Sequence, residues 1–379
     1  MDGAPLEVIM QDVFLWGALC HAPLRRIVLG RDVPVRGAVL PGHAVRADAN
    51  GWPVLAAAGT GAGGLLATDL GADEVARLTF YWGGAGPVAA RVRVAGKERP
   101  ALAFGAGAAA GGPDWHLADW GRVWGETATL AAVDAMALMG RKPAAEVRAR
   151  QAQRLTRAGA SLRAARQPSP TGLRRHAAPG DVNVTARSEP YARFFAVEEY
   201  DLTFRRFDGS MSAPVNRAVF VSGDAAVVLP YDPVRDRVMV IEQFRPGPFG
   251  RGDPQPWLIE AIAGRVDGGE TPEDAARREA REEAGLELAG LVPVADYYPT
   301  PGAKAEYLYS WIGLADLPDG AAGVGGVADE HEDIRVHVIP FARLKALVAS
   351  GEVNNAPLLI LAMWLEHHRE TLREGRMPG

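Results

Sequence analysis

Three glutamates in one short segment have the spacing that a cation-binding helix face requires. The segment from Gly264 to Leu286 reads GRVDGGETPEDAARREAREEAGL and contains Glu279, Glu282 and Glu283. Residues three and four apart share one face of a helix, and like charges at that spacing destabilise it by about 0.2–0.5 kcal/mol per pair. A hard cation such as Mg²⁺, which prefers oxygen ligands, would offset this repulsion. The alternative is a solvated acidic face balanced by the neighbouring arginines.

The residues around these glutamates predict where the helix begins and ends. Thr271 suits the N-cap and Pro272 suits the first helical position. Alanines and arginines favour helix through Ala284. Gly285 suits a left-handed C-terminal residue. The sequence therefore predicts a helix over 272–284 that carries all three carboxylates on one side.

The complete segment resembles the Nudix box, with every fixed position filled. The matching residues are Gly264, Glu270, Arg278, Glu279, Glu282, Glu283, Gly285 and Leu286. One position departs, because Ala280 stands where a larger aliphatic residue is common. Nudix hydrolases cleave a nucleoside diphosphate linked to another group X.

The resemblance implies roles for residues of the box. Arg278 would hold a box glutamate in place and Glu270 would anchor the loop, with Arg278 and Glu282 also in the catalytic set. The implied metal ligands are Glu279, Glu283, Glu282 and the carbonyl of Ala263. The implied cofactor is Mg²⁺, with Mn²⁺ as an alternative.

Flanking motifs resemble the ADP-ribose pyrophosphatase branch of this family over roughly residues 183–372. Pro301 lies sixteen residues beyond Gly285, within YYPTPGAKAEYLYSW. The segment VADEHEDIRVHVI, from Val327 to Ile339, resembles the branch's catalytic loop and the strand after it. The implied reaction is hydrolysis of ADP-ribose to AMP and ribose 5-phosphate. The implied general base is Glu330, with Glu332 in reserve, and the alternative is a solvated acidic loop.

The substrate contacts implied by the branch are Arg245, Arg217, Glu306 and Pro301. Arg245 would reach the diphosphate and Glu306 the terminal ribose, while Arg217 is equally well explained as a surface residue. Phe194, Phe195, Tyr200 and Phe204 alternate as strand residues do and are predicted to lie in a core or an interface. The branch implies a homodimer with exchanged N-terminal strands, in which an unidentified aromatic residue of the partner stacks on adenine.

The N-terminal part resembles a different family, the γ-glutamylcyclotransferase-like (AIG2-like) domains. The resemblance rests on FLWGALC and on LLATDLGADEVARLTFYWG. Trp82 stands where those cyclotransferases have a catalytic glutamate, and Ala18 replaces a hydroxyl residue. An indole cannot shuttle a proton, so this domain is predicted to be catalytically inactive. The alternative is that an acidic residue at another position, Glu74 or Asp73, substitutes for the catalytic glutamate.

The predicted fold class is α+β with two domains. Residues 1–140 are expected to form a β-rich cyclotransferase-like barrel, and 183–379 a Nudix α/β/α sandwich with a mixed sheet. Residues 141–182 are predicted to be a linker, helical at first and then rich in Pro and Gly. A helix is predicted over Thr127–Met139.

Composition excludes several classes of protein. The 379 residues are 48% hydrophobic and carry a formal net charge of −5, so no overall basic field favours nucleic acid. One cysteine, Cys20, excludes an internal disulfide framework and fits a reducing compartment. No apolar run approaches the ~20 residues of a membrane span, and no signal peptide is apparent. We expect a cytoplasmic protein that binds neither nucleic acid nor membrane.

Other functions stay open at this point. The box is equally compatible with another ADP-sugar or nucleoside diphosphate derivative. A non-catalytic ADP-ribose sensor is a further alternative, although sensors tend to lose box glutamates that this chain keeps. A bifunctional enzyme, whose N-terminal half also turns over γ-glutamyl compounds derived from glutathione, is disfavoured by Trp82. The fusion also resembles proteins named for tellurite resistance, a phenotype that supplies no mechanism.

Overall fold

The chain divides into two compact units, Met1–Arg166 and Gln167–Gly379. The structure is a computed structural model that describes residues 10–57, 59–105, 112–321, 323–325 and 333–378. Within these ranges, no helix has both the length and the apolar character needed to cross a membrane.

The first unit is built on a closed barrel whose strands run in the order β1-β5-β2-β6-β7. These strands are β1 (Gln11–Trp16), β2 (Val35–Leu40), β5 (Ala62–Leu70), β6 (Val88–Val94) and β7 (Lys97–Ala103), and a separate antiparallel pair is formed by β3 (Ala44–Ala47) and β4 (Pro53–Ala56). Closure pairs the edge strands of the sheet with each other. The predicted β-rich barrel is thus confirmed, while its likeness to cyclotransferases stays a prediction.

Helices cover one side of the barrel strands with an apolar cluster. They are α1 (Ala22–Leu29), α2 (Ala72–Tyr81), α3 (Leu117–Met136), α4 (Ala144–Ala149) and α5 (Gln151–Arg166). The helix predicted from Thr127 begins ten residues earlier, at Leu117, because Trp120 extends the buried stripe of Ala128 and Ala131 toward the N-terminus.

The helical part of the predicted linker lies inside the first unit. Leu155 and Ala158 of α5 and Val147 of α4 are buried in the same apolar cluster as α3. The burial of these few apolar positions fixes both helices to the first unit, although alanine and arginine dominate their sequences. The division falls at Arg166, and the Pro- and Gly-containing residues that follow belong to the second unit.

The second unit contains a mixed sheet in the order β15-β17-β11-β12-β19-β18, with β13 paired to β12 and β14 to β11. The strands are β11 (Ala225–Asp232), β12 (Arg237–Phe244), β13 (Trp257–Glu260), β14 (Ile262–Arg265), β15 (Gly290–Tyr297), β17 (Leu308–Leu314), β18 (Gly323–Gly325) and β19 (Ile334–Pro340). Strands β11 and β17 are parallel, whereas β12 runs antiparallel to β11.

Helices pack on both faces of this sheet, as the alternation of its residues requires. Ala226 and Val228 of β11 face α7 (Pro272–Ala284). Val227 and Leu229 face the opposite cluster, which includes α8 (Phe341–Ser350) and α9 (Ala356–Arg373). The predicted α/β/α sandwich with a mixed sheet is therefore present.

A second sheet of this unit has the order β16-β10-β9-β8. Its strands are β8 (Val182–Ala192), β9 (Ala196–Phe204), β10 (Val215–Val221) and β16 (Lys304–Ala305), and a short helix, α6 (Pro246–Arg251), follows β12. Strand β16 runs parallel to β10 and pairs Lys304 with Phe220. This pairing brings the segment before β17 beside the N-terminal strands of the unit.

Candidate active site

Helix α7 has the predicted boundaries. The Thr271 side chain accepts a hydrogen bond of 3.1 Å from the Asp274 backbone amide, which makes Thr271 the N-cap. Gly285 ends the helix with φ of 61°, in the left-handed region. Both end signals were readable because capping depends on residues next to the helix. The predicted helix over 272–284 is confirmed.

Two of the box glutamates lie against the loop that begins at strand β14. A Cβ atom at residue 264 would overlap the carboxylate of Glu279, so only glycine permits this approach. Glu283 is 2% exposed, and the Ala263 amide donates to its Oε2 at 3.3 Å. The loop and helix therefore hold two carboxylates close to the backbone of residues 263 and 264.

Arg278 stabilises the cluster by contacting three carboxylates. Its guanidinium donates to Glu270 at 2.7 Å, to Glu279 at 2.7 Å and to Glu282 at 2.8 Å. It also donates to the carbonyl of Arg265 at 3.0 Å. Burial alone would lower the pKa of Arg278, but the hydrogen bond with Glu270 and the charge of Glu279 raise that pKa above its usual value. One cation thus offsets the repulsion expected along this helix face.

Glu270 joins the start of the box to the helix. Its Oε1 accepts from the Asp267 amide at 2.8 Å, and its two oxygens receive two hydrogen bonds from Arg278. This bidentate pairing fixes the direction of the guanidinium. The loop from residue 264 to 270 is consequently attached at both of its ends to α7.

The donor set suits a hard divalent cation only in part within the described residues. Glu279 and Glu283 supply carboxylate oxygens beside the 263–264 backbone. In the described ranges, no group of three or more His, Cys, Asp or Glu side chains is arranged to hold a metal ion. Glu330 and Glu332 lie outside the described residues.

A cavity of about 430 Å³ opens beside these carboxylates. Of the residues predicted from the sequence, the structure places Ala263, Arg278, Glu279, Arg245 and Glu306 in its lining. The Arg245 Nε donates to Glu260 at 2.6 Å, so that arginine reaches the cavity already paired with a carboxylate.

Two predicted substrate residues lie elsewhere in this chain. Arg217 is exposed on β10 and donates to the carbonyl of its neighbour Asn216 at 3.0 Å. Pro301 is exposed in the turn before β16. Neither lines the cavity formed by the described residues.

The sequence did not identify several residues of the cavity. They are Phe194, Phe195, Ser222, Glu260, Arg265 and Lys304. Phe194 and Phe195 were predicted to be strand residues, and this was wrong, because β8 ends at Ala192 and β9 begins at Ala196. They occupy the turn between these strands. Phe194 is 57% exposed there, and the centre of its ring lies 4.2 Å from Cζ of Arg265. Their adjacency, FF, was the only available signal.

In the first unit, the position of the expected glutamate is filled by aromatic packing. The rings of Trp82 and Trp16 lie 5.3 Å apart. The alternative acid Glu74 accepts a hydrogen bond of 2.9 Å from the Gly71 amide and pairs with Arg31 at 2.5 Å. The hydrogen bond from Arg31 lowers the pKa of Glu74, despite the opposing effect of burial. Glu74 is thus engaged as a structural carboxylate.

Known proteins are similar to the second unit of the chain. A NUDIX domain model matches residues 221–359. The ADP-ribose pyrophosphatase of Escherichia coli (strain K12) is 42% identical over 193 residues, which cover 51% of this chain and 91% of that protein. That of Haemophilus influenzae is 32% identical over 201 residues, covering 52% and 92%. The GDP-mannose pyrophosphatase of Enterobacter sp. (strain 638) is 34% identical over 167 residues, covering 44% and 84%. The chain belongs to the Nudix hydrolase family.

Proposed function

We propose that this chain hydrolyses the pyrophosphate bond of ADP-ribose to AMP and ribose 5-phosphate. The observation that carries the proposal is the position of Glu279, which lies against Gly264 and lines a cavity beside the box helix. The 42% identity to a protein named ADP-ribose pyrophosphatase supports this choice of substrate.

The proposed cofactor is Mg²⁺, with Mn²⁺ as the alternative. Glu279, Glu283 and the Ala263 carbonyl would hold it, with Glu282 at the more exposed side of the same helix face. When bound, such an ion neutralises the diphosphate charge and acidifies the attacking water.

The remaining residues take their roles from their contacts, from their place in the cavity or, for the general base, from the family resemblance. Arg278 positions Glu279 and Glu282 and neutralises part of their charge. Arg245 binds the diphosphate and Glu306 binds group X, since both line the cavity. Glu330 takes the proton from water, with Glu332 in reserve; both residues lie outside the described ranges.

A second candidate function is hydrolysis of another nucleoside diphosphate sugar. The relative named GDP-mannose pyrophosphatase, at 34% identity, favours this possibility. The box chemistry acts on the diphosphate and is common to both substrates. Only the residues around group X and around the nucleobase can therefore distinguish the two substrates.

We further propose a homodimer with exchanged N-terminal strands. Strand β8 forms one edge of its sheet, and its apolar residues Val182, Val184 and Tyr191 are more than half exposed in the single chain. An exposed edge with apolar side chains is a favourable surface for pairing with a second copy. Light scattering of the purified protein checks this state, and a monomer at micromolar concentration would contradict it.

Product analysis with ADP-ribose and Mg²⁺ tests the proposed reaction. We expect AMP and ribose 5-phosphate from the wild type, and a fall in kcat of roughly three orders of magnitude for Glu283→Gln. The amide keeps an acceptor for the Ala263 backbone, so the fold should survive. Glu287→Gln, a largely exposed glutamate just beyond α7, is the matched control and should leave kcat unchanged.

Two outcomes would contradict the proposal. Near-normal turnover by a folded Glu283→Gln variant would remove Glu283 from the metal site. Absence of AMP with the wild type, together with turnover of GDP-mannose, would favour the second candidate function.

A further inference from the structure

A row of three phenylalanine rings borders the cavity, with a cation at each end of the row. Cζ of Arg265 lies 4.2 Å from the centre of the Phe194 ring. The rings of Phe194 and Phe195 are 4.7 Å apart, and those of Phe195 and Phe220 are 4.8 Å apart. The Lys304 ammonium lies 5.7 Å from the Phe220 ring. Both cations are therefore close enough to attract the ring that they face.

The turn that carries the first two rings is only partly fixed by its own strands. Residues 193–195 separate β8 from β9. The pairing of these strands shifts register between Ser188 and Tyr191, so the ladder is irregular just before the turn. Within the turn, the Arg193 amide donates to the carbonyl of Phe195 at 2.8 Å. The position of the turn therefore depends also on the side chains that other strands present to it.

Arg265 of β14 meets this turn, and its backbone is held on two sides. In the sheet it is paired with Ala225 of β11. Its carbonyl accepts a hydrogen bond of 3.0 Å from Arg278, whose guanidinium also contacts Glu279. A side chain on a backbone fixed in this way has a restricted range of positions. Arg265 consequently connects the Phe194 ring to the residues that hold the box helix.

We propose that Arg265 is a positioning residue, which holds the β8–β9 turn against the cavity and acts on the substrate through the Phe194 ring. The inference rests on the proposed function, since a substrate must occupy the cavity for the turn to affect it. Phe194 is 57% exposed, so apolar burial does little to fix its ring and the contact with the guanidinium matters more. Loss of that contact weakens binding equally in the ground and transition states, which raises KM and leaves kcat unchanged.

Steady-state kinetics with ADP-ribose and Mg²⁺ test this role. We expect Arg265→Met to raise KM about three- to fivefold, because one contact between a cation and a ring is lost, while kcat changes by less than about twofold. Arg265→Lys keeps the cation and should bring KM to within about twofold of the wild-type value. Arg369→Met is the matched control and should leave KM unchanged. It removes a guanidinium that lies 5.4 Å from the Phe341 ring, and neither residue lines the cavity.

A double-mutant cycle separates positioning from direct contact with the substrate. Phe194→Leu removes the ring on which the guanidinium acts and should itself raise KM. In that background, Arg265→Met should add less than about twofold, because the two residues act through one contact. An undiminished effect of Arg265→Met in the Phe194→Leu background would overturn the inference and assign Arg265 its own contact with the substrate. Thermal unfolding of each variant verifies that the fold persists.

Hydrogen exchange of the protein without ligand tests the turn itself. The Arg193 amide exchanges when its hydrogen bond within the turn opens. We expect Arg265→Met to speed this exchange about three- to fivefold, and Arg265→Lys and Arg369→Met to keep the wild-type rate. Unchanged exchange in Arg265→Met, or faster exchange with an unchanged KM, would overturn the inference.

The results also distinguish this inference from the proposed function. If the wild type binds ADP-ribose without forming AMP, the same three- to fivefold change is expected in Kd, measured by calorimetry, and only the proposed reaction is overturned. An unchanged Kd in that case would overturn the inference as well. If the wild type does not bind ADP-ribose at all, both proposals are overturned.

Discussion

The two units differ in how they treat the position where a catalytic carboxylate is expected. In the second unit, Glu279, Glu282 and Glu270 surround the guanidinium of Arg278. In the first unit, Trp82 packs on Trp16 with ring centres 5.3 Å apart. The second unit keeps a group of carboxylates whose mutual repulsion is offset by the Arg278 guanidinium. The first unit has a packed aromatic side chain at the corresponding position.

This difference shows that a carboxylate needs a particular environment before it can serve chemistry. Glu74, the alternative acid of the first unit, has a structural role instead, since it accepts a hydrogen bond from the Gly71 amide and pairs with Arg31. In the second unit the same residue type is concentrated on one helix face beside a cavity. The contrast predicts that the two units respond differently to substitution.

Among the substitutions that test this contrast, the largest effect is expected from Gly264→Ala in the second unit. The added Cβ would displace the Glu279 carboxylate, and such misplacement lowers turnover about 100-fold. Steady-state kinetics with ADP-ribose measure the loss. Gly290→Ala is the matched control, because a Cβ there meets only Leu314 at 3.7 Å. Equal activity of both variants would show that the close approach to Glu279 does not matter.

Arg278→Met should next destabilise the second unit by about 2–3 kcal/mol, because three carboxylates lose their shared cation. Urea unfolding gives the free energy. Arg281→Met is the control. That arginine is half exposed and its ion pair with Glu287 spans 3.7 Å, so we expect a loss of less than about 0.5 kcal/mol. A loss for Arg278→Met no greater than for the control would refute its role as the common counter-ion.

Trp82→Phe should have a smaller effect, about 1 kcal/mol, and only on the first unit. The smaller ring loses part of its contact with Trp16 but introduces no unpaired charge. Thermal unfolding measures the change, and turnover at the Nudix site should stay at the wild-type value. Trp257→Phe, at a ring that is 49% exposed, is the control in the second unit. Loss of Nudix turnover in Trp82→Phe would end the view that this tryptophan serves only packing.

The smallest effect concerns pH and His21. Burial, and then the charge of Arg25, lower the pKa of His21 below its usual 6.5. The folded first unit therefore binds this proton less readily than the unfolded chain, so its stability is complete above pH 6.5 and declines as the pH falls below that value. Chemical unfolding at several pH values, for wild type and His21→Phe, measures the slope. Identical slopes below pH 6.5 would assign the decline to other groups.

The local parts of the site were predictable from the sequence. Thr271, Pro272 and Gly285 specify the ends of α7 through capping alone, and the spacing of the glutamates specifies their common face. The sandwich around α7 followed from the resemblance to a known family. These signals lie within a few residues of the features they determine.

Other parts depend on contacts between distant segments. Lys304 reaches the cavity because β16 pairs with β10, which places it opposite Phe220, and neither residue indicates this pairing by its type. Phe194 and Phe195 looked like strand residues because hydrophobic alternation does not reveal where a turn interrupts a strand. Helix α5 has few apolar residues, and only its burial against α3 shows that it belongs to the first unit.

The contacts of Arg278 bear on whether the fold of the second unit depends on a bound divalent ion. A guanidinium that already balances the box carboxylates keeps them in place without a divalent ion, whereas in a structural metal site the ion itself holds the fold together. The proposed divalent ion would share these carboxylates with that guanidinium. If Mg²⁺ is the cofactor as proposed, we expect its loading to be reversible: a chelator should abolish activity while leaving the melting temperature almost unchanged, and fresh Mg²⁺ should restore activity without refolding.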